Sequence, residues 1–322
     1  MAKNLSTYEN QQRKEFNMAK YLLKRFLQTV FVLFLVATMV FVILRTIGDP
    51  AKLVISPDST FADLEQMRRI LGLDKPLWQQ YLDYLSGIIR GDFGNSFYYN
   101  KPVIDLIKEH MPATLLLSGV SLLISVPLAI LTGIIAAVKR NSLLDNFVTG
   151  LTIGGRSLPT FWLGLIMILL FSVRWKVLPP SGYGTAKQLI MPVITMSAGL
   201  GASTARLTRS AMLDVLRQDY MTTAHAKGVT NKRVVIHHGF RNALLSVVTM
   251  LALQIGYMLS GSVIVESVFA WPGVGRLIVT GILDYDFPLV QACAVIMALM
   301  FAIINFIVDI CYTLIDPRIR YE

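Results

Sequence analysis

The residue types that could do chemistry are few in this chain and they are scattered. There are four histidines, His110, His225, His237 and His238. A metal site on a helix needs two ligands one turn apart, and no pair here has the i, i+4 spacing. His237 and His238 are adjacent, so they point to different faces of any helix. Both cysteines, Cys293 and Cys311, fall within one apolar run, which implies neither a disulfide framework nor a thiolate metal site. No Gly-rich phosphate loop ending in Lys-Ser or Lys-Thr occurs, so the chain has no ATPase machinery of its own. Asn305 and Asp309 lie at i, i+4 near the end of the last apolar run. An ionisable residue in a membrane span is a candidate pathway residue. Helix packing, or an ion pair between Asp309 and a loop arginine, is the alternative. Gly256 and Ser260 make a small-x-x-x-small step that favours close helix approach. Nothing catalytic emerges, and the chain reads as no enzyme.

One polar stretch stands apart from these isolated groups. Residues 206–241 carry Arg206, Arg209, Arg217, Lys227, Lys232, Arg233 and Arg241 against Asp214 and Asp219. Between two membrane spans, such a basic loop belongs on the cytoplasmic side. Its local signals describe two short helices. Asp219 is placed to cap a helix over Tyr220–Lys227 by accepting from first-turn amides. Gly228 ends it in a left-handed conformation, with Lys227 at the negative end of the dipole. Thr230 then caps a second helix running toward Gly239. Two short helices hinged at a glycine form a docking surface for a partner.

The elements that position this loop follow from composition. The 322 residues are 54% hydrophobic and 16% charged, with mean hydropathy +0.57. Soluble domains carry about 25% charged residues. Apolar runs of about 18 residues or more recur, which is the signature of spanning helices. The formal charge of +10 sits in segments flanking those runs, a pattern of membrane topology and not of nucleic-acid binding. Residues 1–20 read as a mobile cytoplasmic tail. The run Phe26–Leu44 is too long for a signal-peptide core, and no small-residue cleavage site follows it. It is the first span.

Residues 45–112 show no positive excess and read as an extracytoplasmic segment, with short amphipathic helices over Phe61–Leu71 and Pro76–Ile89. Further spans follow over Ala113–Val138, about Ser157–Val173, about Gln188–Ala205, Leu244–Val265 and Leu289–Ile315. Arg156 reads as a snorkelling residue at the cytoplasmic boundary or as an intramembrane charge. Glu266–Pro288 is an outer, partly apolar and re-entrant segment. The expected architecture is an all-α integral membrane protein of six transmembrane helices in the cytoplasmic membrane, both termini cytoplasmic. Its parts are the tail 1–20, the first helix with the extracytoplasmic segment 21–112, and a core 113–322 containing the loop 206–241. The residues alone leave open a transporter driven by a separate motor, a receptor-like scaffold, and a membrane-embedded enzyme. The lack of a cytoplasmic domain favours the first.

The loop also resembles a known motif. Arg217–Val229 is similar to the cytoplasmic EAA-x3-G-x9-I-x-L-P sequence of ABC importer permeases. Gly228 matches its glycine and Ala224 its second alanine. Thr222 and Thr223 stand for the Glu and first Ala, and His238, Phe240 and Arg241 for the Ile, Leu and Pro. The variant resembles that of the oligopeptide and dipeptide branch, with Arg-Gln-Asp-Tyr at 217–220, Ala-Lys-Gly at 226–228 and Arg-Asn-Ala-Leu at 241–244. Gly48-Asp49-Pro50-Ala51, Leu71–Asp74, Gly91–Gly94, Leu158–Trp162, Glu266–Phe269, Pro272–Gly275 and Asp316-Pro317-Arg318 extend the likeness to the first permease subunit of that branch. Its relatives include nickel and glutathione systems.

The resemblance implies a type I ABC importer permease fold and a partner set. These are a second homologous permease, two ABC ATPase subunits that bind ATP and Mg, and an extracellular substrate-binding lipoprotein, with the whole set in membrane lipid. The chain itself would carry no cofactor, and peptide would be its cargo, or else nickel, glutathione or another small solute. Asp219, Tyr220, Thr223, Ala224, Ala226, Lys227, Gly228 and Val229 would form the helix that couples to an ATPase.

Overall fold

The computed structural model describes residues 2–47, 51, 61–70 and 72–315, with the backbone alone over 2–22 and at some positions of the later helices. Among the described residues every regular element is a helix, apart from one isolated bridge between Asn95 and Pro102. They group into two compact units, residues 1–92 with 294–322, and residues 93–293.

In the first unit, α1 spans Ala2–Ile47. The helix starts well before the first apolar run, because residues 2–20 contain no Pro or Gly and are rich in helix formers. Ala37, Phe41 and Leu44 are its buried stripe, while Phe26, Phe31, Met39 and Ile43 stay uncovered. An apolar helix with most of its girth uncovered suits hydrocarbon, not water. Then α2 (Phe61–Ile70) and α3 (Leu77–Arg90) follow. Pro76 precedes α3, where its missing N–H leaves no bond unmade. Tyr81 and Tyr84 of α3 pack around Phe41, with ring centroids 5.2 and 5.6 Å away, and the Tyr81 hydroxyl meets Thr38 Oγ1 at 2.6 Å. Gly91, at φ +73°, ends α3 in the left-handed region.

The second unit is built on α4 (Val103–Val138) and α7 (Ala186–Leu216). Small residues recur every three or four positions on the buried side of α4: Ser118, Ser121, Ser125, Ala129, Gly133 and Ala136. They let α7 come close. A Cβ on Gly133 would stand 2.6 Å from the Ala205 carbonyl oxygen and 2.7 Å from Thr208 Cβ. Small residues at the seam are how helices associate where lipid gives no hydrophobic driving force.

Between these helices lie α5 (Leu143–Ser157) and α6 (Thr160–Met167), the latter widening into π-helical turns over Ile168–Arg174. The span that the sequence places at about residues 157–173 is the helical run Thr160–Arg174, and the chain bends by 106° between it and α5. Pro159 is the cause: it pushes Leu158 into extended backbone, at φ −83° and ψ 126°.

Beyond α7, α8 spans Asp219–Ala226, and α9 is a helical turn at Asn231–Arg233. π-helical turns over Val234–Phe240 carry it into α10 (Arg241–Val268). The second loop helix runs toward Gly239, as the sequence suggests, and continues past it, since that glycine has no left-handed φ. The unit closes with α11 (Val274–Leu283) and the first turns of α12 (Phe287–Ile315). Its core gathers Leu117 of α4, Met167 of α6, Met191 and Met196 of α7, Met258 and Val265 of α10, and Phe269 and Trp271.

Among the described residues, three helices are apolar and long enough to cross a membrane (Leu23–Thr46, Val103–Val138 and Phe287–Ile307), or four if α5 and α6 count as one broken span. The sequence expects two more, in α7 and α10. The 31-residue α7 is long enough, but it carries Thr195, Ser203, Thr204, Arg206, Thr208 and Arg209 on its way.

Candidate functional site

α8 is short, and two side chains hold it. Met221 and Ala224, one turn apart, are buried against Val234, with Val215, Leu216 and Val229 packed around them. Asp219, Tyr220, Thr223, Ala226 and Lys227 point the other way and are exposed. Asn242 Nδ2 donates to the Tyr220 hydroxyl at 3.1 Å, and Thr223 Oγ1 donates to the Asp219 carbonyl at 3.0 Å.

Gly228 has φ +76°. Its N–H donates to the His225 carbonyl at 2.9 Å, and the Val229 N–H donates to the Ala224 carbonyl at 3.3 Å. These are the paired bonds of a Schellman ending, completed by Val229 packing near Ala224. A Cβ at Gly228 would meet nothing within 4 Å, so the backbone angle, not space, calls for glycine.

The caps differ from expectation. Gln218 occupies the N-cap of α8, and Asp219 is the first helical residue, where its charge favours the positive end of the dipole without capping it. Thr230 takes the N-cap position of α9 in extended backbone, but its side chain makes no capping bond. In both places the cap residue offers its backbone carbonyl and no side-chain bond: Gln218 accepts from the Met221 N–H and Thr230 from the Val234 N–H, each at 3.0 Å.

Asn305 Nδ2 donates to the Phe301 carbonyl of its own helix at 3.0 Å, while the Asp309 side chain lies outside the described residues. The same holds for the side chains of Gly256, Ser260 and Cys311, for residues 48–50, for Leu71 and for Asp316-Pro317-Arg318. Cys293 is buried and unbridged. His110 Nδ1 faces the Leu106 carbonyl at 2.8 Å. Among the described residues no three His, Cys, Asp or Glu side chains converge.

Three features escape the sequence. The first is an ion pair: Arg209 of α7 donates from Nε and Nη2 to the two carboxylate oxygens of Asp145 at 2.6 and 2.8 Å, fastening α5 to α7. The second is Glu266, fully buried at the end of α10. Its carboxylate accepts from Thr114 Oγ1 at 2.8 Å and from the Arg276 N–H at 3.0 Å. Gly273 and Gly275 leave it room, since a Cβ on either would collide with that carboxylate. The Trp271 indole N–H, donating to the Ala113 carbonyl at 2.9 Å, anchors the same corner. Asp286 plays a similar part, buried and accepting from Ser96 Oγ and from the Tyr98 N–H at 3.2 Å.

The third is a cavity of about 710 Å³ bounded by the α5–α6 bend, α7 and α10. Leu163, Met196, Met250 and Met258 supply apolar wall, and Arg156, Arg206, Thr195 and Gln254 supply polar groups. Arg156 is thus neither packed in a helix bundle nor isolated, but exposed on this cavity.

Residues 129–321 match the family described as the inner membrane component of binding-protein-dependent transport systems, and residues 18–118 match its N-terminal part. The chain belongs to this permease family. The glutathione transport system permease proteins GsiC of Escherichia coli strain K12 and of Shigella dysenteriae serotype 1 are 42% identical to this permease. The match runs over 306 residues, 95% of the chain and 100% of theirs. Among solved structures, a chain of the inward-facing MetNI methionine ABC transporter superposes with TM-score 0.56 at 19% identity, over 66% of this permease and 96% of that chain. A chain of an amino acid ABC transporter crystallised with histidines gives 0.50 at 15% identity, over 67% and 94%. These likenesses show the fold alone, that of a type I ABC importer permease. The permease is an ABC importer subunit in the cell membrane, crossing it more than once, and is not an enzyme. Membership implies ATPase and binding-protein partners.

Proposed function

We propose that this permease carries short peptides, the tripeptide glutathione among them, inward across the cytoplasmic membrane. Its energy comes from ATP, bound with Mg by two separate ATPase subunits. A second homologous permease completes the pathway, and an extracellular binding lipoprotein delivers the solute. Residues 113–322 form the permease core, the tail 1–20 and both termini are cytoplasmic, and the 45–112 segment faces outward. α8 is the ATPase-docking helix: Asp219, Tyr220, Thr223, Ala226 and Lys227 meet the ATPase, Ala224 and Val229 seat the helix on the bundle, and Gly228 fixes its end. Asn305 and Asp309 serve the pathway or the packing of α12.

The observation that carries this reading is the form of α8. A helix of eight residues is marginal by itself. Here it is clamped by two buried side chains and a Schellman ending, with the rest of its surface free. Closure of the ATPases would push on such a rigid knob and bias the bundle between inward-open and outward-open states. The 42% identity to glutathione permeases supports the solute class.

Co-reconstitution with the cognate second permease, ATPases and binding protein tests the function. ATP-dependent uptake of labelled dipeptides, longer peptides or glutathione is expected. Uptake confined to nickel would overturn the solute class, and no ATP-dependent uptake would leave the scaffold reading in its place.

A further inference from the structure

We propose that the cavity between the α5–α6 bend, α7 and α10 binds a free carboxylate on the transported solute, with Arg156 and Arg206 as its cationic pair. The inference rests on the import reading above and assigns a chemical group to be recognised along the path. At about 710 Å³ the cavity is of ligand size. Its wall is largely apolar, yet two guanidinium groups line it, and among the described residues lining it none is acidic. Neither arginine has a hydrogen bond or ion pair among the described residues.

The neighbouring arginine makes the contrast. Arg209, three residues beyond Arg206, is fully committed to Asp145. Both guanidinium groups line this one cavity, so an anion bound there would meet two positive charges. The planar guanidinium fork suits a carboxylate, which it can grip through two parallel bonds. Thr160, Ser203 and Ser210 add hydroxyl-bearing residues to the same wall. Gln254 adds both a donor and an acceptor on the α10 side.

The same pair of charges could hold an anionic lipid headgroup, so the test is run in vesicles of neutral phosphatidylcholine and again with anionic lipid. The complete transporter is assayed with a transported peptide and its C-terminally amidated twin. Arg156→Gln and Arg206→Gln are expected to raise KM for the acid about tenfold while leaving the amide and the ATPase rate unchanged, the scale of one lost charged hydrogen bond. Arg206→Lys should retain part of the preference. Equal slowing of both twins, or an effect seen with anionic lipid alone, overturns the proposal. If the wild type takes up neither twin, the peptide reading of the solute fails, and the proposal with it.

Where the binding protein admits the acid alone, the purified complex without it answers the question. Modification of Arg156 and Arg206 by phenylglyoxal, read by mass spectrometry, should slow with the acid and not with the amide. Equal rates overturn the assignment.

Discussion

Gly228 and Glu266 show how single residues hold this permease in shape. At Gly228 the left-handed backbone is the whole constraint, because the space beside it is open. Gly228→Val would cost about 1–2 kcal/mol in backbone strain, whereas Gly228→Asn keeps most of the conformation. In the reconstituted transporter the Val variant is expected to assemble and hydrolyse ATP but lose most uptake, with the Asn variant near wild type. Full uptake by the Val variant would contradict a coupling role. At Glu266 the constraint is the opposite, a crowded and polar one. Glu266→Ala leaves the hydrogen of the buried Thr114 hydroxyl, whose oxygen still accepts from the Val274 N–H, and the Arg276 N–H without acceptors, at about 1–3 kcal/mol for each unsatisfied donor. A lower Tm in detergent is the expected result, and an unchanged Tm would show that the corner repacks.

Helices in the second unit are joined by two kinds of contact. The α4–α7 seam is made of small side chains, so its strength is van der Waals contact at short range. The α5–α7 contact is instead a salt bridge, with the Asp145 side chain 3% exposed and that of Arg209 27%. Breaking a buried pair from one side leaves an uncompensated charge, at about 3–5 kcal/mol, with the lower end expected where one partner is partly solvated. Arg209→Ala should therefore destabilise the protein more than the double variant Asp145→Asn with Arg209→Gln. Thermal unfolding of the three proteins checks this order, and equal losses would show that the charges are not coupled.

At the scale of the whole molecule the proposed function assigns different work to two regions: under it α8 would meet the ATPases, and the segment around Tyr98, itself well exposed, would meet the binding protein. A photocrosslinker at Tyr98 is expected to capture the binding protein. Labelling of a Tyr98→Cys variant from the cytoplasmic side alone would overturn the proposed orientation. The Tyr98 backbone is pinned to Asp286, so a partner landing there touches a segment tied to the start of α12.

Sequence by itself determined the membrane class, the helical character of most of the chain and the glycine ending of α8. Each depends on a local signal: apolar run length, helix-forming composition, glycine where φ must be positive. The same locality explains the errors. Asp219 and Thr230 were plausible caps by type, but side-chain capping depends on geometry that residue type does not specify. Tertiary structure alone decided the pairs that are distant in the chain. Asp145 finds Arg209 and Glu266 finds Thr114 only because particular helix faces meet. Arg156 illustrates the difference most clearly. In the sequence it is one charge at the edge of a span, and in the fold it lines a cavity with Arg206, because the bend at Pro159 turns α5 and α6 around α7.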